Sequence, residues 1–233
     1  MEMANYLGRA VARLRARGLG DVSRYSLHVI KERALASVMD LKFGGRVCRT
    51  DLDESIYNGD RHTMVHTHYH VLRDIFARVP ITKTDVLVDI GCGEGRVINF
   101  WLSQGWTNPM IGIEVVEAVA ERTRARYRKY PNVSIVTGDA LAHLPRNGTL
   151  FFLYNPFPEG VVAEFEKAVR PLNARIVYHQ NNYMVPFDSS VWRIEPIQPE
   201  GKVYDFQAAL ITKRAAWVSA SRRGRRSPGP GPG

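Results

Sequence analysis

A chain of 233 residues with 45% hydrophobic content is long enough to bury one sizeable core, and its two cysteines exclude a disulfide-stapled scaffold. Nowhere do eighteen apolar residues run together and the N-terminal stretch has no apolar secretory core, so the expectation is a cytoplasmic protein without a membrane span. The net charge of +9 is unevenly divided: residues 1–50 carry +6, residues 213–233 another +6, and residues 51–212 carry −3. Basicity, which elsewhere points to nucleic acid, here belongs to the two ends and not to the body.

In chain order, Tyr6, Leu7, Ala10, Val11 and Leu14 form an apolar stripe with Arg9, Arg13, Arg15 and Arg17 around it, which predicts an amphipathic basic helix. Docking on its own domain or a second subunit is favoured over contact with an anionic membrane. His62, His66 and His70, spaced by four, would share a helix face; with His68 they could cap a site or hold an ion, and no metal is expected. From residue 85 the chain alternates. Buried-type strands are predicted at 85–90, 109–114, 133–138, 150–155 and 174–179, and helices at 94–104, 116–130 and 159–170. Trp192 to Ile197 and Tyr204 to Thr212 read as two longer strands around Pro199-Glu200-Gly201-Lys202. The tail from Ser219, rich in Arg and ending in alternating Pro and Gly, can propagate neither helix nor strand and is expected to be disordered.

The most informative stretch is Val86 to Arg96, Val-Leu-Val-Asp-Ile-Gly-Cys-Gly-Glu-Gly-Arg. An apolar strand breaking into a glycine loop lets a ligand approach the backbone where a Cβ would clash. The next strand ends in Glu114, where such folds grip ribose hydroxyls. A dinucleotide fingerprint needs Gly-x-Gly-x-x-Gly, but here the third glycine comes one residue early and Arg96 takes its place. Asp89 suits an ammonium group better than a pyrophosphate.

Asp-x-Gly-x-Gly-x-Gly resembles the first motif of class I methyltransferases that use S-adenosylmethionine. Val133 to Ala140 looks like that family's third-strand motif, and Leu150 to Phe157 like its fourth-strand motif beside the transferred methyl. The resemblance covers roughly residues 84 to 214. It implies a seven-stranded doubly wound α/β sheet, mostly parallel with an antiparallel last strand, and the residues ahead of the match are read as an N-terminal helical extension. The expected layout is an extension or cap over 1–80, a core over 81–214 and a disordered tail over 215–233. Gly91, Gly93 and Gly95 would close on the cofactor, Asp89 would orient its ammonium, and Glu114 would accept the ribose hydroxyls. Asp139 and the amide of Ala140 would meet the adenine, and Asn155 would stand beside the methyl.

The acceptor is less legible. A hydroxyl needs a base, and histidine is the side chain best tuned for one, with an ordinary pKa near ~6.5. His179, ending the fifth strand, and His66, in the cap, are the candidates. Asn155-Pro156-Phe157 resembles the motif of enzymes that methylate planar nitrogens, where the aromatic stacks on the acceptor, but Pro158 follows the aromatic and the family's second proline is missing. The first reading is therefore methylation of a small-molecule hydroxyl, a sugar or natural product, with a histidine base. The alternative is N-methylation of a protein side chain or nucleic acid through Asn155 and Phe157, nucleic acid not being favoured. The sequence leaves the oligomeric state open.

Overall fold

The structure is a computed structural model, and it describes residues 19–43, 67–154, 157, 159–179, 187–199 and 206–214. The N-terminal stripe at 6–14, His62, His66, Asn155 and the tail lie outside the described residues.

Among the described residues two helices come first, α1 (Leu19–Phe43) and α2 (Tyr69–Phe76), and then strands alternate with helices. These are β1 (Leu87–Ile90), α3 (Arg96–Ser103), β2 (Met110–Glu114), α4 (Glu117–Tyr127), β3 (Val133–Thr137), β4 (Leu150–Tyr154), α5 (Glu159–Val169) and β5 (Arg175–His179). β6 (Trp192–Ile197) and β7 (Ala208–Lys213) close the sheet. The strand order is β3-β2-β1-β4-β5-β7-β6, and β7 runs antiparallel to both of its neighbours. The expected seven-stranded sheet with a reversed last strand is present.

Strand periodicity divides the core into two layers. Leu87, Phe152 and Val177 face the layer built with α2, α3 and α4, where Leu72, Ile75, Ile98 and Trp101 are sealed from solvent. Val88, Phe151 and Tyr178 face the other, where Val162, Phe165 and Val169 of α5 cover the sheet. β1 is buried at every position because both of its faces and both of its edges are covered.

Most boundaries differ from expectation by a residue or more, and the following differences have a local reason. The helix predicted from residue 94 begins at Arg96, because Gly95 takes φ 82° and caps it in the left-handed region. β1 begins at Leu87 and not at 85, because Asp85 is spent on cross-links at the strand amino ends. It accepts hydrogen bonds from Thr82, Thr149 and Arg175. α2 starts only at Tyr69, after His68 in extended conformation at its N-cap, so among the described residues His70 stands in the first turn of its helix, and the rest of the expected row, His62 and His66, lies outside them. α4 stops at Tyr127, three residues early, where a turn leads to Pro131.

Candidate active site at the carboxyl edge of the sheet

Gly91, Gly93 and Gly95 all have positive φ, at 71°, 51° and 82°. The alternation of glycines is thus a conformational requirement, since other residues rarely enter this region. Gly95 is doubly constrained. A Cβ there would lie 2.4 Å from the Tyr127 hydroxyl, which sits 2.6 Å from the Gly95 carbonyl oxygen and 2.7 Å from Asn99 Oδ1. Thr123, one turn back on α4, donates its hydroxyl to the Gly93 carbonyl at 2.9 Å. Two polar residues on the buried face of α4 therefore hold the loop from beneath. Their i, i+4 spacing was visible in the sequence, but their target was not.

Glu114 is buried at the end of β2 and holds the loop from the other side. One carboxylate oxygen accepts the Gly93 amide at 3.0 Å, and the other accepts the Val116 amide at 2.9 Å. A carboxylate oxygen can accept more than one hydrogen bond. Glu114 is thus both a structural clamp and a possible acceptor for hydroxyls.

Asp89 is the unusual group. It is 3% exposed, and its Oδ2 is buried without a hydrogen-bond partner. Burial, aided by the nearby Glu114 charge, pushes its carboxyl up to about 8. Native proteins rarely leave a buried carboxylate unsatisfied, so such a group calls for an explanation in function. Cys92, between the first two glycines, has its thiol pushed up by burial and by Asp89 and Glu114, which makes it inert as a nucleophile.

At the end of β3, Asp139 is exposed and its Oδ1 accepts the amides of Leu141 at 2.9 Å and Ala142 at 3.1 Å. One oxygen thus shapes the turn, which leaves Oδ2 for any ligand. Ala140 is buried beside it.

His179 ends β5 in register with Tyr154 of β4, and their rings stack at 4.3 Å. Phe206 packs edge-on at 6.1 Å, and Thr67 Oγ1 lies 3.4 Å from Nδ1. Nε2 is buried and has no partner. By strand alternation His179 shares a sheet face with Val177, Phe152 and Asp89. Burial, with a contribution from His68, presses its pKa down to about 3. The expectation of titration near neutrality is therefore wrong for this ring, which is neutral throughout the physiological range.

Phe157 is not brought to that group. It is 9% exposed and packs 5.9 Å from Phe165 of α5, within the core layer on the opposite sheet face. His68 and His70 stand at the start of α2, with rings 5.4 Å apart, and His70 meets His28 of α1 at 4.6 Å. Among the described residues no cluster of His, Cys, Asp or Glu could hold a metal ion.

No protein-family model matches the sequence, and no curated protein matches it. Solved structures do. A dimethyladenosine transferase from Plasmodium falciparum superposes with a TM-score of 0.51 at 14% identity, over 67% of this chain and 66% of its own. The mitomycin 7-O-methyltransferase MmcR gives the same TM-score and identity over 63% and 54%. The chain thus spans only about half to two thirds of these two proteins. An RNA methyltransferase from Salinibacter ruber, in complex with S-adenosyl-L-homocysteine, is 21% identical over 64% of this chain and 93% of its own, with a TM-score of 0.49. The chain has the class I methyltransferase fold.

Within this methyltransferase fold the glycine loop and the strand ends carrying Asp89, Glu114, Tyr154 and His179 all lie at the carboxyl edge of the sheet, where open parallel sheets place ligands. Sequence reading missed the surroundings of His179: Thr67 and Phe206 come from segments more than a hundred and about twenty-five residues away. Only the fold brings them together. It also missed Asp40, 3% exposed on α1, which pairs with Arg96 at 3.3 Å and accepts the Tyr69 hydroxyl at 2.6 Å. Arg96, which on paper only replaced a glycine, fastens the N-terminal helices to the methyltransferase core.

Proposed function

We propose that the chain is an S-adenosylmethionine-dependent methyltransferase acting on a hydroxyl of a small molecule. The observation that carries the cofactor is Asp89. A buried carboxylate with an unpartnered oxygen, two residues before a cradle of positive-φ glycines, fits a ligand with an ammonium group. Asp89 would hold that ammonium, Glu114 the ribose hydroxyls, and Asp139 Oδ2 with the Ala140 amide the adenine. When bound, the cofactor supplies a methyl group already made electrophilic by its sulfonium.

The protein's remaining work is to position the acceptor and take its proton. His179 supports the oxygen reading. Its Nε2 has no partner, lies on the Asp89 face of the sheet, is walled by Tyr154, Phe152 and Phe206, and accepts a proton when Nδ1 carries the ring's own proton toward Thr67 Oγ1. With so low a pKa it is a weak base, suited to taking the proton as the methyl moves and not before. Phe157, packed into the opposite layer, gives no support to the planar-nitrogen reading.

Calorimetric titration with S-adenosylmethionine, S-adenosylhomocysteine and NAD tests the cofactor: the first two should bind and NAD should not. Tight NAD binding without response to the methyl donor would overturn the reading. Acceptor classes can then be screened with radiolabelled donor. On the substrate found, His179→Ala should lower turnover by roughly 10²–10⁴-fold with cofactor affinity intact. At saturating donor the wild-type rate should show no inflection near pH 6.5, because the ring stays neutral down to about pH 3. An active His179→Ala with an inactive Asn155→Ala would move the acceptor to nitrogen.

A further inference from the structure

α1 is apolar on two opposite sides. One side packs inward: Tyr25 and Phe43 are buried, and Leu35, Ala36 and Met39 lie against the core. The other side carries Leu27, Ile30, Val38 and Leu41, exposed at 52%, 64%, 63% and 80%, with exposed Ala34 between them. Four of the five exposed large apolar side chains of the described residues are therefore in one place. At the helical repeat these positions fall within an arc of about 80° and run for about 21 Å along the axis. A contiguous apolar stripe of this kind marks an interaction surface, whereas single exposed residues need no explanation.

Charge selects the occupant. Among the described side chains of α1, every exposed charged one is basic: Arg24, Lys31, Arg33 and Lys42. The two acids of α1 whose side chains are described turn inward, Glu32 to within 3.0 Å of His70 and Asp40 onto Arg96. Arg24, Lys31 and Lys42 line one flank of the stripe and Arg33 stands beyond the other. We propose that α1 docks this face on an anionic lipid surface. The apolar stripe would enter the acyl boundary, while the long basic side chains reach back to the headgroups. Pairing of the face with a second copy would set basic flank near basic flank, and a nucleic acid would leave the leucines against phosphate and water. The inference concerns a surface away from the glycine loop and does not depend on the cofactor reading.

Flotation of the full chain with vesicles tests it. Binding is expected to vesicles of 70% phosphatidylcholine and 30% phosphatidylserine and not to phosphatidylcholine alone, and it should weaken with salt. The triple variant Ile30→Ser, Val38→Ser, Leu41→Ser alters only exposed side chains and leaves the net charge unchanged. It should lower partition by about ten-fold or more, since the apolar contribution is lost. Equal binding of variant and wild type would assign any attraction to the basic ends and overturn the proposal. So would absence of binding by the wild type, or sedimentation as a dimer that the same substitutions dissociate.

Discussion

Asp89 has an unusual consequence for stability. An unfolded aspartate has a pKa near ~3.9, and in the folded chain burial raises it to about 8. Between those values the folded state keeps a proton that the unfolded state has released, so this residue's contribution is fully present below about pH 4 and is lost as pH rises through 8. Asp89→Asn should therefore make the ligand-free protein more stable than wild type at pH 8.5 in denaturant melts, with the difference shrinking toward pH 4. The same change should weaken binding of an ammonium-bearing ligand by about 1.5–3 kcal/mol, the worth of a charged hydrogen bond. At pH 7 the wild type should release close to one proton on binding and the variant none, which calorimetry in buffers of different ionisation enthalpy would measure. A variant less stable at pH 8.5, or binding as wild type, would show that Asp89 is satisfied by something other than the ligand. Glu114 carries a different lesson. Its identity and strand position were legible, but its grip on the Gly93 amide was not, because sequence spacing does not reveal which way a loop folds back.

At the scale of elements, the tie between α1 and α3 is the Asp40–Arg96 pair, with both side chains nearly sealed from solvent. The Arg96 guanidinium also lies over the Tyr69 ring at 5.4 Å, so α2 joins the same junction. A buried pair is weak evidence for net stability, yet removing one partner strands the other charge. Arg96→Ala should destabilise the protein by about 3 kcal/mol, read as a lower urea midpoint. The double variant with Asp40→Ala should cost less than the two single changes together, since they share one interaction. Additive costs would mean that the pair is incidental and that α1 is held by its other contacts, the packing of Phe43, Leu35 and Met39 and the polar contacts to Tyr69 and His70. α1 itself was foreseen only as part of a helical extension. Its apolar residues lie on both sides, so no single stripe announces it, and one side faces the core while the other faces out.

For the whole molecule, a ligand that binds only the folded state must raise its stability by mass action. S-adenosylhomocysteine at about 100 times its dissociation constant should add about 2.7 kcal/mol, a rise of roughly 5–10 °C in melting temperature for a domain of this size. An unmoved melting curve would contradict the cofactor reading directly. The reversal of the last strand came only with the family resemblance, while the sequence by itself determined the alternation of strands and helices, the two closing strands and the glycine loop. These are written in local terms: runs of buried residues, caps, and a backbone conformation that only glycine enters readily. It also named Asp89, Glu114 and His179 as residues of interest, because each ends or nearly ends a strand. What those residues are chemically was decided only by the tertiary structure. Burial moved Asp89 up and His179 down by several pH units, and it sent Phe157 into the core. A pKa depends on what excludes water and on which charges stand near, and here those neighbours come from distant segments of the chain.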